Sequence, residues 1–141
     1  MRTFEFEHVR SFCLSKPHVT ESFPFDDHTM VWKVADKVFA IANVYDFKGV
    51  SLKCNPERAL ELRETYAGIR PGFHLNKKHW NSVDSLSDVS WKVAAELIEH
   101  SYACVVKGMT KKSRMEFGLW TRGGQVAAAF LSLCYAVNRI W

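Results

Sequence analysis

The sequence predicts an α+β fold, an antiparallel sheet with helices packed on one face. Three observations carry that expectation. Stretches with apolar residues at helical spacing are interleaved along the 141-residue chain with short stretches of strand character. Short turns join the strand-like stretches, which suits antiparallel neighbours rather than long crossovers. The resulting order is helix, strands, helix, strands, helix. A hydrophobic content of 48% with 24% charged residues is ordinary globular usage, and the length suits one domain with a real core.

Residues 3–15 read as the first helix. Thr3 is placed to cap it, Glu5 and Glu7 sit near its positive end, and Val9, Phe12 and Cys13 share one face. Lys16-Pro17 closes it. Residues 29–34 alternate, with Met30, Trp32 and Val34 on one side and Thr29, Val31 and Lys33 on the other. Ala35-Asp36 is a short turn into Lys37–Val44, the more apolar and more buried strand of the hairpin. Residues 50–54 form another short strand.

Asn55-Pro56-Glu57 is a helix start: a capping side chain, proline at the first helical position, then an acid. Ala59, Leu62 and Tyr66 recur at helical spacing, and Gly68 is placed to stop that helix. Residues 69–83 read as a basic hairpin. Ser87 or Asp88 caps a third helix, with Ala94, Leu97, Ile98, Ser101 and Val105 on its inner stripe. Lys92, Glu96, Glu99 and His100 mostly face away.

The formal charge of +4 is modest, but it is unevenly placed. Residues 1–64 carry nine Lys/Arg against ten Asp/Glu, whereas residues 65–114 carry eight against four. A localised excess favours an anionic partner. It centres on residues 69–83, which contain no acid and set Arg70, Lys77 and Lys78 beside the rings of Phe73, His74, His79 and Trp80. Cations next to flat rings suit a polyanion carrying bases. They equally suit a basic hairpin whose tryptophan anchors a sheet.

Other chemistries find less support. Cys13, Cys54, Cys104 and Cys134 are scattered, with no C-x-x-C pair, and read as reduced, buried thiols of a cytoplasmic protein. Glu5 and Glu7 among the first apolar residues do not suit a signal peptide. His74, His79 and Asp84 lie close in sequence, yet no nucleophile turn or glycine-rich phosphate loop accompanies them. The spacing of the two histidines matches no familiar zinc pattern. No catalytic residue, metal ligand or cofactor is therefore expected, and the chain is read as a non-enzyme.

Several segments resemble the MmcQ/YjbR family. They are Phe23-Pro-Phe25, Lys37-Val-Phe-Ala40, Ser51-Leu-Lys-Cys54 followed by Asn-Pro-Glu-Arg58, and Gly72-Phe-His-Leu-Asn-Lys-Lys-His-Trp-Asn81. His100-Ser-Tyr102 and Lys111-Lys-Ser-Arg114 fit it as well, so the resemblance covers about residues 5–114. It implies a CyaY/frataxin-like fold and a DNA-binding protein with a double-wing motif. Carried onto this chain, the wings are the hairpins around residues 29–44 and 70–83. Lys53, Arg58, Arg70, Lys77, Lys78 and His79 are then the phosphate contacts, and Trp80 either stacks on a base or sugar or anchors the core. Lys111, Lys112 and Arg114 form a second basic run after the third helix. The frataxin-like expectation also raises iron binding, for which Glu5 and Glu7 are too sparse. A binding module for an acidic protein or a small anionic ligand is the alternative to DNA.

The last 27 residues depart from the family pattern. Residues 115–141 form an atypical apolar tail whose run Val126–Val137 is too short for a transmembrane segment. It suits packing on the domain, homo-oligomerisation with another copy or a membrane interface, and its abrupt composition also suits an altered reading frame.

Overall fold

The structure, a computed structural model, describes residues 2–72 and 75–118. Phe73, His74, Cys134 and the apolar run of the tail lie outside the described residues, so the expectations for them do too. Among the described residues ten elements follow one another: α1 (Phe6–Leu14), β1 (Val19–Ser22), β2 (Thr29–Val34), β3 (Lys37–Asn43), β4 (Gly49–Lys53), α2 (Pro56–Thr65), β5 (Ile69–Pro71), β6 (Trp80–Asp84), α3 (Trp91–Gly108) and α4 (Lys111–Glu116). The strands form one antiparallel sheet in the order β1-β2-β3-β4-β6-β5.

One core joins the sheet to the first three helices. Trp32, Val34, Phe39, Leu52, Ile69 and Val83 from the strands meet Val9, Phe12 and Cys13 of α1 and the inner stripe of α3. All five residues expected on that stripe are buried. Ser101 among them is polar and satisfied on both counts: its hydroxyl donates to Phe39 O (2.5 Å) and accepts from Lys53 N (2.9 Å). It thereby bridges β3 and β4 through the helix above them.

Local signals held where they were strongest. Asn55 caps α2 by accepting from Glu57 N (3.0 Å) and Arg58 N (3.3 Å), with Pro56 at the first position. Ala35 and Asp36 both adopt positive φ (47° and 69°), the two-residue turn whose twist matches a hairpin. β3 is out of strict alternation: the register shifts beside Trp32/Lys33, so Phe39 and Ala40 are both fully buried. Val31, expected on the outer side, is buried as well, flanked across the strands by Ser22 and Ile41.

Elsewhere distant groups override the local pattern. The first helix starts three residues later than expected, with Glu5 at the cap position and its N–H donated to His8 Nδ1 (2.8 Å). Thr3 instead ties the start of the chain to the β6–α3 loop, through Ser85 O and Val89 O. Ser90, not Ser87 or Asp88, caps α3. Asp88 accepts from Ala67 N and Gly68 N, and these bonds hold its carboxyl below the usual range. Gly68 does not end α2 in a left-handed turn. It makes room for Ser87, whose Oγ would lie 2.1 Å from an added Cβ. Glu99 faces inward, not outward, and forms a 2.9 Å ion pair with the buried Lys16 at the end of α1.

Strand β1 has no counterpart in the expected order. Its presence alters the sheet edge: β1 and β5 are the two edge strands and β2 is interior, so of the two expected wings the β5–β6 hairpin lies at an edge and the β2–β3 hairpin does not.

Candidate nucleic-acid interface

Strand register decides which charges meet. The pairs Val34↔Lys37, Lys53↔Trp80 and Pro71↔Asn81 place the β2–β3 turn, the end of β4 and the 72–79 connection at one end of the sheet. The two hairpin tips are three strand spacings apart, about 14 Å. α3 runs toward the same end, because Ser101 reaches Lys53 and the helix finishes seven residues later. α4 lies there too, with Phe117 stacked edge-on to His18 at 5.1 Å just before β1.

The expected contacts therefore fall into three groups. Lys53, Arg58, Lys77, Lys78, His79 and Trp80 come together around the β4–α2 junction and the 72–79 connection. Lys77 and Lys78 are exposed, while Lys53, Arg58, His79 and Trp80 are half-buried. Lys53 faces the opposite way from its buried neighbours Leu52 and Cys54, as the alternation required. Lys111, Lys112 and Arg114 lie on α4, whose following Phe117 packs on His18 just before β1, the edge strand away from the 72–79 connection. Arg70 joins neither group. It sits on the edge strand opposite Ser82, with its guanidinium 3.8 Å from Asp84.

The 72–79 connection is held by its own backbone and by α2. His79 N and Trp80 N donate to Asn76 O, Lys78 N donates to Asn76 Oδ1, and His79 O accepts from Cys54 N (2.7 Å). Arg63 clamps it from α2. Its Nε donates to Asn81 Oδ1 (2.7 Å), and Nη2 donates to Trp80 O (3.3 Å) and to Lys77 O. Arg63 and Leu60 line one wall of an open cleft of about 370 Å³, with Lys77 and Lys78 on the other. Arg63 was not among the expected residues. Pro56, Leu60 and Arg63 stand at i, i+4 and i+7, so the shared face was readable, but not what it touched.

Lys107 is the second addition. With Arg58 it depresses the pKa of His100, although burial of the ring is the larger cause. His100 Nε2 accepts from Asn55 N (3.2 Å) and lies 3.3 Å from Cys104 Sγ. Burial pushes the Cys54 thiol up to about 11 and raises that of Cys104, so both stay protonated near neutrality. Lys53, Arg58 and Lys107 surround this cluster with positive charge, and each is felt at Cys104. His79 and Asp84 do not form a dyad. They flank the two ends of β6, and Asp84 faces Arg70 instead.

The arrangement offers several cations on a braced scaffold at one end of the sheet, suited to holding anionic oxygens. Comparison with known proteins adds the lineage. The family model for YjbR matches residues 14–104. The chain is 32% identical over 111 residues to the uncharacterized protein YbdF of Escherichia coli O157:H7, covering 77% of this chain and 89% of that one. It is 33% identical over 104 residues to the uncharacterized protein YjbR of Escherichia coli K12, covering 73% and 88%. The crystal structure of Deinococcus radiodurans protein DR2400, a DUF419 domain, superposes with a TM-score of 0.74 at 41% identity, covering 84% of this chain and 93% of that one. A Pseudomonas syringae protein of 23% identity shares the fold at a TM-score of 0.60, over 72% and 98%. The matched residues span β1 to β6 and most of α3, the elements that build this end of the sheet, and the chain belongs to the YjbR (MmcQ/YjbR) family.

Proposed function

We propose that this is a non-enzymatic DNA-binding protein of the cytoplasm. Its frataxin-like sheet offers two hairpin tips as wings to the phosphate backbone. The observation that carries this reading is the register. It gathers Lys53, Arg58, Lys77 and Lys78, with Lys107 beside them, at the end where both tips project. A tip separation of about 14 Å is close to the ~12 Å width of the major groove, so the tips can meet the two phosphate rims of one groove. The tips are unequal. The β2–β3 turn carries the acidic Asp36 between Lys33 and Lys37, so the 72–79 connection and α2 carry most of the attraction.

The test compares duplex DNA, single-stranded DNA, RNA and heparin at matched ionic strength, followed residue by residue by NMR. DNA is expected to bind best, with shifts confined to the two tips, residues 33–38 and 75–80, and the start of α2. Lys77→Ala with Lys78→Ala is expected to abolish binding at physiological salt and to lower the salt slope by about two. Equal binding of heparin reduces the reading to generic polyanion attraction. An unchanged affinity of the double variant removes the hairpin from it. Binding of an acidic protein in preference to all nucleic acids favours the alternative partner. Self-association through the tail belongs to the same proposal. It is tested by ending the chain after Gly118, beyond the packed Phe117, and measuring mass in solution.

A further inference from the structure

The end of the sheet opposite the lysines has a contrasting surface. Among the described residues, seven large apolar side chains are exposed, and four of them lie here: Phe23 (44%), Phe25 (74%), Tyr45 (77%) and Leu86 (56%). They come from the β1–β2, β3–β4 and β6–α3 loops, which the pairs Ser22↔Val31, Thr29↔Asn43 and Gly49↔Asp84 place side by side. The helix-free face of the sheet opens beside them into a groove of about 610 Å³, floored by Ile41, Ser51 and Ser82 and rimmed by Asp46, Asp84 and Leu86.

These loops are fixed in place. Asp26 accepts from His28 N, Thr29 N and Thr29 Oγ1 at 2.6–3.0 Å, and Asn43 Oδ1 accepts from Tyr45 N and Asp46 N. Val44 N donates to His28 O, and Ser85 donates to Lys48 O through both its N–H and its hydroxyl. Exposed aromatic and aliphatic groups on an ordered scaffold mark interaction surfaces, because little conformational freedom is lost on docking.

Charge selects the partner. Asp26, Asp27, Asp46, Asp84 and Asp88 belong to these loops or adjoin them, against Lys48 (3.4 Å from Asp46), His28 and, on the groove wall, Arg70 (3.8 Å from Asp84), so the acids remain in excess. Asp27 and Asp46 are well exposed (91% and 70%). Such a surface repels phosphates and anionic lipid headgroups alike. We infer that this acidic, aromatic end is a docking surface for a cationic segment of another protein that also carries apolar side chains. It lies at the opposite end from the proposed DNA contacts, so each can be occupied or lost without the other.

The full chain is titrated by NMR and calorimetry with three decapeptides, alternating Arg-Leu, Arg-Ser and Glu-Leu. The Arg-Leu peptide is expected to bind with shifts at residues 23–28, 44–48 and 84–88, at least tenfold more tightly than Arg-Ser. Phe25→Ser with Tyr45→Ser is expected to weaken it tenfold or more, as is Asp27→Lys with Asp46→Lys, with unchanged thermal unfolding in both. Equal binding of Arg-Leu and Arg-Ser, binding of Glu-Leu at these loops, or insensitivity to both double variants overturns the inference. So do absence of binding and self-association of the chain through the same loops, which makes a second copy the partner.

Discussion

Replacing Arg63 by alanine tests whether α2 positions the lysines of the 72–79 connection. The change removes three hydrogen bonds from one guanidinium, but their costs differ. Lys77 O is in an exposed loop, where water replaces the lost donor. Trp80 O keeps its bond from Gly72 N (2.9 Å). Asn81 is 2% exposed, so its Oδ1 loses a charged donor with no solvent to take over. Leaving one buried acceptor unsatisfied costs about 1–3 kcal/mol. The expected loss is therefore about 2 kcal/mol, a roughly thirtyfold change in the folded-to-unfolded ratio and about 8 °C in Tm for a domain of this size. Urea unfolding of Arg63→Ala, Asn81→Ala and the double variant measures the coupling, expected at about 1.5 kcal/mol. Amide exchange at Lys78, His79 and Trp80 is expected to speed up in Arg63→Ala while that of α3 follows only the global change. A loss below about 0.5 kcal/mol, which is less than an orphaned buried acceptor costs, with no faster exchange in this loop, would refute the clamp.

Three further outcomes follow from the geometry. Lys16→Met leaves the Glu99 carboxylate buried without its partner and should cost about 3–5 kcal/mol, whereas Lys16→Met with Glu99→Leu should recover most of it; denaturant midpoints distinguish these, and equal losses would show that charge pairing is not the cause. The pKa of His100 is depressed, so the unfolded chain binds a proton first as pH falls. The histidine's contribution is thus fully present above its ordinary value near 6.5 and is lost as pH falls below that toward the folded value. Stability measured from pH 7 to 5 should accordingly fall less steeply in His100→Gln than in the parent, and parallel curves would exclude the effect. At the β2–β3 turn, Ala35→Asn with Asp36→Gly should raise stability by about 1 kcal/mol, because alanine at positive φ is strained; a lower Tm would contradict the turn geometry.

What could be read from residues alone was whatever lies within a few positions along the chain. Asn55-Pro56 as a cap, the inner stripe of α3 and the Ala35-Asp36 turn depend on neighbours one to four residues away, and all three stood. The family, too, was legible, because its Asn-Lys-Lys-His-Trp block is contiguous. Signals of equal local quality failed where distant groups competed. Thr3 gave up a helix cap for Ser85 and Val89, and Glu99 turned inward because Lys16, 83 residues away, lies buried beneath it. Strand β1 was missed because Val-Thr-Glu-Ser is four residues long and becomes a strand only by pairing with β2.

The candidate site divides in the same way. Lysines 77 and 78 announced themselves as a pair in sequence, whereas Arg63 and Lys107 acquired their positions only when α2 and α3 were laid against the sheet. The sequence by itself determined the element types, the basic excess of residues 65–114 and the family. Tertiary structure decided where that charge goes. Antiparallel register sends Lys53, Lys77 and Lys78 to one end of the sheet and Asp26, Asp27, Asp46 and the exposed aromatics to the other, while Arg70 is drawn away to Asp84. Separation in sequence carries no record of such ends, because each reversal of the chain brings together residues that a linear reading keeps apart.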